Sequence, residues 1–187
     1  MVYLRFFFFS LTAGLTLTTS AQQRDALPPG TEAQYDFYGI RPATINCVIE
    51  AAQRQRVPAN VLLAIASVEG GKNGQIVENT NGTFDLGHLQ INSIHFAPSG
   101  RFGKLPITKE DVTWRGCYNA ELAAWILRQH LEEPDTGKDF WTRAANYHSR
   151  TPEHNARYRQ KLIPLSRQWG DWLQKRYTRQ GVSVTHE

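Results

Sequence analysis

The chain has 187 residues and a mass of 21.3 kDa, with 21 Lys and Arg against 17 Asp and Glu, for a formal net charge of +4. That length excludes a multidomain enzyme and is ample for one buried core. Such mild basicity suits a polyanionic surface without naming one.

Residues 1–21 carry the three-part pattern of a secretory signal peptide: a short start with Arg5, an apolar stretch from Phe6 to Leu17, and the small residues Thr19-Ser20-Ala21. The apolar stretch is 12 residues long, well short of the roughly 20 that cross a bilayer as a helix. Removal after Ala21 is therefore expected rather than anchoring, with no stable membrane insertion afterwards. It would leave 166 of the 187 residues and, without Arg5, a net charge of +3. No cysteine stands near the cleavage site, so a lipid anchor has no attachment point.

Residues 22–43, with Pro28-Pro29-Gly30 and Pro42, predict an extended arm. The domain is expected over 44–172. Thr44 can cap a helix running to about Arg56. Pro58 then starts a second helix through Glu69, apolar nearly all round and stopped by Gly70-Gly71, which should be central. Ile76-Val77 and the hairpin dipeptide Asn81-Gly82 predict a small two- or three-stranded flap. The spacing from Leu86 to Phe96 predicts a helix, and a long helix is expected from Trp114 or Cys117 to about Leu131. Phe140 to Tyr147 repeats at helical spacing. A last helix is expected from Pro152 to Trp172, with Pro164 as a kink or boundary, before a basic tail over 173–187. The fold class is mainly α with a minor β element.

Cys47 and Cys117, an even pair in an exported chain, read first as a disulfide. Closing a loop of about 70 residues, it would contribute roughly 4 kcal/mol. The rival is a cysteine nucleophile, which needs a free thiolate beside a base.

Glu69 stands out chemically. Ala66, Ile65 and Leu62 lie on its helix face, and a carboxyl at the end of an apolar stripe and at a helix C-terminus should have a raised pKa. That is the property of a general acid; rotation into solvent is the other reading that periodicity leaves open. Sixteen residues on, Asp85-Leu86-Gly87-His88-Leu89-Gln90-Ile91-Asn92 combines a carboxylate, a glycine permitting close approach, and two amides suited to sugar hydroxyl and acetamido groups. Asp85 could also simply cap the expected helix. His88, His95, His148 and His154 show no ligand spacing, so no metal is expected. The five tryptophans fit core positions, and the basic tail a solvated face.

These segments resemble the lytic transglycosylases of the soluble type. Val61 to Gly71 is similar to the first family motif, Asp85 to Asn92 to the second, and Ala144-Ala145-Asn146-Tyr147-His148-Ser149 to the third. The likeness covers about Thr44 to Leu165 and is nearest to the small single-domain members associated with secretion systems, conjugation and pilus assembly, which also carry paired cysteines. It implies a lysozyme-like α+β fold, Glu69 as catalytic acid and then base, and Gln90, Asn92, Tyr147, Gly87 and His148 along a glycan cleft. The implied substrate is peptidoglycan, cleaved without hydrolysis to 1,6-anhydromuramyl ends. The expected protein is a periplasmic monomer that uses no cofactor, and with no nucleic-acid motif in the chain and such a compartment, no nucleic-acid binding is expected. Three departures stand out: Gly70 where the family usually has serine, His88 where an apolar residue is common, and His148 where asparagine is usual. The same segment also resembles the one that carries the second carboxylate of animal-type lysozymes, so a retaining hydrolase using Glu69 and Asp85 is an alternative. A glycan-binding assembly factor with marginal catalysis is another.

Overall fold

The computed structural model describes residues 39–134, 137–177 and 183–185; the expected leader and all of the arm before residue 39 lie outside the described residues. Helix α1 (Ile45–Gln55) begins where the Thr44 hydroxyl accepts the Cys47 N–H at 3.2 Å and ends on Arg56 in the left-handed conformation. Helix α2 (Ala59–Glu69) is buried from Ala59 through Ala66 on every face, as its all-round apolar sequence requires. Pro58 offers no side-chain cap, so the first turn is closed from far along the chain. The Ala59 N–H donates to the Ser183 carbonyl at 2.8 Å, and the Asn60 side chain bonds both the N–H and the carbonyl of Thr185. At the other end Gly70 takes φ +60°, the left-handed cap that glycine adopts without strain.

Three short strands, β1 (Ile76–Glu78), β2 (Phe84–Leu86) and β3 (Ile91–Asn92), form an antiparallel sheet in that order. Val77 pairs with Asp85, and Asp85 with Asn92. The β1–β2 turn holds Asn81-Gly82 as expected, with Gly82 at φ +77°. The helix expected over 86–96 is absent. Gly87 (φ +68°) and Gln90 (φ +49°) instead turn the chain from β2 into β3, and a single 3-10 turn (Ser93–Phe96) follows. The buried side chain of Asn119 makes this turn affordable: it accepts the Leu89 N–H at 2.8 Å and donates to the carbonyls of Leu86 and Val112, each at 2.9 Å. Backbone groups that a helix would pair internally are paired by one amide.

A short helix that the apolar pattern did not signal, α3 (Lys109–Trp114), is capped by Thr108. Helices α4 (Gly116–Leu131), α5 (Phe140–Ala145) and α6 (Pro152–Tyr177) complete the domain. α6 passes through Pro164 without ending and takes residues 173–177 of the expected tail into the helix, with Leu173 buried. α1, α4 and α6 pack around α2 to form the core. Trp125, Trp141, Trp169 and Trp172 pack against it, whereas Trp114 is exposed. Together with the small sheet this is the mainly α, lysozyme-like α+β arrangement. Among the described residues no helix is long and apolar enough to cross a membrane.

Cys47 on α1 and Cys117 on α4 are joined by a disulfide, with Cα atoms 5.5 Å apart, which removes the cysteine-nucleophile reading. Beside it the fully buried Glu121 accepts from Arg54 at 2.7 and 2.8 Å and from Gln55 at 3.0 Å, so that its charge is paired rather than stranded. Replacing both cysteines with alanine should lower the unfolding free energy by roughly 4 kcal/mol, the closure cost of a loop this long. Urea unfolding should show the loss, and unmutated protein under reductant should fall to the same level.

Candidate active site

Glu69 is the last residue of α2, where the buried helix reaches a cleft of about 670 Å³. Its carboxyl is drawn into the protein rather than turned out, and Oε1 accepts a 2.6 Å hydrogen bond from the Tyr158 hydroxyl on α6. Burial pushes the Glu69 pKa up to about 7; the Tyr158 bond opposes that shift, the Asp85 charge adds to it, and Lys161 opposes it. A large share of the Glu69 side chains thus holds a proton at neutral pH. Tyr158 is itself buried and lies face to face with the His148 ring, centroids 4.7 Å apart and planes within 4°. Burial and the neighbouring Glu69 hold the Tyr158 hydroxyl well above the usual phenol range, so it stays a donor.

The sheet forms the opposing wall. Asp85, in the middle of β2 and not at a helix cap, accepts from the Asn92 amide at 2.7 Å, while the Asn92 carbonyl oxygen accepts the Ile94 N–H at 2.9 Å. Asn92 therefore fixes the carboxylate rather than standing free. Gln90 also lines the cleft, and its amide donates to the Gly87 carbonyl at 2.7 Å. Tyr147, after α5, donates to the Leu89 carbonyl at 2.8 Å, tying the helical wall to the β2–β3 turn instead of reaching Glu69. His148 reaches the cleft through its position over Tyr158.

The fold thus brings Glu69, Asp85, Gln90, Asn92, Tyr147 and His148 to one cleft. Gly87 is not among them. It is buried, and a Cβ there would lie 2.6 Å from the Val112 carbonyl and 2.7 Å from the Asn119 amide, so its role is close packing. Gly71 has the same character on the cleft side: a Cβ would meet the Gly87 carbonyl at 2.2 Å and the Gln90 amide at 2.6 Å. His88, one of the departures, bonds the Gly71 carbonyl at 3.0 Å and braces this contact. Among the described residues no group of three or more His, Cys, Asp or Glu is gathered to hold a metal ion.

Within the last expected helix no local signal distinguishes Tyr158, because its partner lies 89 positions away. The same holds for the cluster of His95, Arg101, His130 and Arg150, which lines the same cleft from the 3-10 turn, the loop after it, α4 and the loop after α5; only His95 stood out in the sequence, as a histidine without ligand spacing.

The profile of the Transglycosylase SLT domain matches residues 46–161, a span that holds Glu69, the 85–92 segment, Tyr147 and Tyr158. The chain belongs to the SLT transglycosylase family. Over 87 residues it is 32% identical to Protein IpgF of Shigella flexneri, covering 46% of this chain and 55% of that one. Over 94 residues it is 33% identical to Invasion protein IagB of Salmonella typhimurium, covering 50% of this chain and 57% of that one. The matched stretch spans little more than half the length of these curated relatives. The SLT match closes at Lys161, so it reaches along α6 just far enough to include the residues that face Glu69.

A carboxyl whose folded pKa of about 7 lies above its ordinary 4.5 costs no stability below about pH 4.5 and progressively more as the pH rises to 7. Relative to the unmutated SLT domain, Glu69→Gln should therefore gain stability by up to about 1.4 kcal/mol per pH unit across that window. The gain should hold above pH 7, as read by urea unfolding at a series of pH values. Tyr158→Phe removes a bond to the charged form and should move the Glu69 titration higher, which carboxyl-carbon NMR would follow directly.

Proposed function

We propose that this SLT domain is a peptidoglycan lytic transglycosylase with Glu69 as its acid and then its base. In its protonated form Glu69 delivers a proton to the glycosidic oxygen between N-acetylmuramic acid and N-acetylglucosamine, and the bond to the muramyl C1 breaks. The acetamido group of the muramyl residue stabilises the positive charge that develops at C1. The Glu69 carboxylate then takes the proton from the muramyl C6 hydroxyl as that oxygen attacks C1. The products are a 1,6-anhydromuramyl end and a free N-acetylglucosamine end, and Glu69 is again protonated. No second carboxylate, cofactor or protein nucleophile is needed.

The observation that carries this reading is the buried Glu69 carboxyl, with its pKa near 7, at the mouth of a polar cleft. An acid that operates near neutral pH is most effective with such a value. Gln90, Asn92 and the Asp85 carboxylate offer sugar-binding groups, and Tyr147 holds the turn that presents them. Gly70 and His148 bear on the rate more than on the reaction type: Gly70 satisfies the left-handed helix end, and His148 packs on the tyrosine that orients the acid.

In the biological part of this proposal, the protein acts in the periplasm after loss of its leader and makes local openings in the wall for a secretion, conjugation or pilus apparatus. The support is the likeness to small members of the family and the name Invasion protein carried by IagB. A second reading, a lysozyme-like retaining hydrolase, draws on Asp85, which lines the same cleft as Glu69 and is held in place by Asn92.

Digestion of purified sacculi separates these readings. The transglycosylase releases muropeptides with anhydromuramyl ends, identified by mass, and the hydrolase leaves reducing ends. Glu69→Gln should lower the release rate by about 10²–10⁴-fold, whereas Asp85→Asn should lower it far less for the transglycosylase than for the hydrolase. A glycan-binding assembly factor would release nothing even unmutated.

A further inference from the structure

At one end of the cleft lie two arginines that the reaction above does not use. Arg150 is paired: it makes two bonds to the Glu133 carboxylate, one of 3.1 Å between Nη1 and Oε2 and a second between Nη2 and Oε1. The same carboxylate lies 3.1 Å from Nδ1 of the buried His130, and Arg150 Nη2 stands 3.4 Å from that nitrogen. Arg101 is half-buried and makes no ion pair with a carboxylate among the described residues; its Nη1 lies 3.5 Å from His95 Nδ1. Burial first, and then the Arg101 charge, pushes both His95 and His130 down to about 4. Near neutral pH the histidines are therefore uncharged, and among the described residues two guanidiniums share the single carboxylate of Glu133. Among the described residues this leaves one surplus positive charge, on Arg101.

A half-buried guanidinium that must share one carboxylate with a second arginine is costly to the folded protein. It fits a cleft whose ligand brings the missing anion, and a planar guanidinium is well matched to a carboxylate. The sugar rings of a peptidoglycan strand are uncharged; its negative charge hangs from the muramyl residue, either on the stem peptide or, once the peptide is removed, on the lactyl group. We propose that Arg101, backed by Arg150, forms a subsite for a carboxylate carried by the muramyl side arm of the glycan. This rests on the peptidoglycan reading above and adds to it what the site selects: strands by the charge of their side arms.

Calorimetric titration of the full chain carrying Glu69→Gln tests the subsite without turnover. Three short glycan oligomers are compared: one with tripeptide stems, one with the same stems amidated on every carboxyl, and one stripped to the free lactyl acid. The tripeptide form should bind about 10-fold more tightly than the amidated form if the stem supplies the charge, and the stripped form should do so if the lactyl group does. Either preference should collapse when Arg101→Gln is added. Equal binding of all three forms overturns the subsite, as does a preference that survives Arg101→Gln. If none of the forms binds, the glycan reading itself fails. Because the ligand series is run first with Arg101 intact, the result stands even where the arginine variant does not fold.

Discussion

A helix that is apolar on every face cannot meet water anywhere along its length, and in this protein the rest of the chain is arranged to cover one. Residues 59–66 of α2 are buried throughout, with α1, α4 and α6 around them. The helix comes into the open at its last turn, where the sequence places Glu69 followed by two glycines. Gly70 supplies the left-handed turn, and Gly71 lets the exit strand pass against the β2–β3 turn at a distance no side chain would permit. The carboxyl is therefore held half inside the protein because the helix carrying it has nowhere else to end. Its raised pKa follows from packing, before any partner is considered.

The partners then adjust what packing imposes. Tyr158 reaches Glu69 because α6 lies along α2, and its hydroxyl, too weakly acidic to ionise, keeps the proton it donates to the carboxyl. The opposing wall is set through a different chain of contacts. Asn119 fixes the backbone at Leu86 and Leu89, the Leu89 carbonyl holds Tyr147, and Asn92 holds Asp85. The Tyr158 bond on one wall and the Asn119 and Asn92 bonds on the other are separate contacts, and Tyr147 joins the two walls at the β2–β3 turn, so the cleft between them keeps its shape.

The helices that carry the core were legible because their apolar spacing and their end residues agree: Thr44 and Arg56 bracket α1, and Gly70 ends α2. Glu69 was legible for the same reason, as a carboxyl closing an apolar stripe. The segment from Leu86 to Phe96 misled, since its apolar residues fit a helical period, whereas Gly87 and Gln90 at positive φ and a side chain 30 positions away from Leu89 decide its path. α3 is too short for periodicity to register. Tyr158 and the Arg101 cluster escaped for a related cause: their roles exist only after distant helices meet, and nothing in their own neighbourhoods sets them apart from ordinary core and surface residues.

The closing of α2 at its first turn has a consequence for how the molecule comes into being. Pro58 leaves the helix start without a cap, and the bonds that complete it come from backbone at residues 183 and 185, some 125 positions further along. Contacts so remote in sequence are formed late, once the intervening chain has been gathered. The chain can gather α1, α2 and α4 first, yet the start of the innermost helix stays frayed until residues 183–185 dock against it. The domain closes from its inside, at the first turn of its innermost helix.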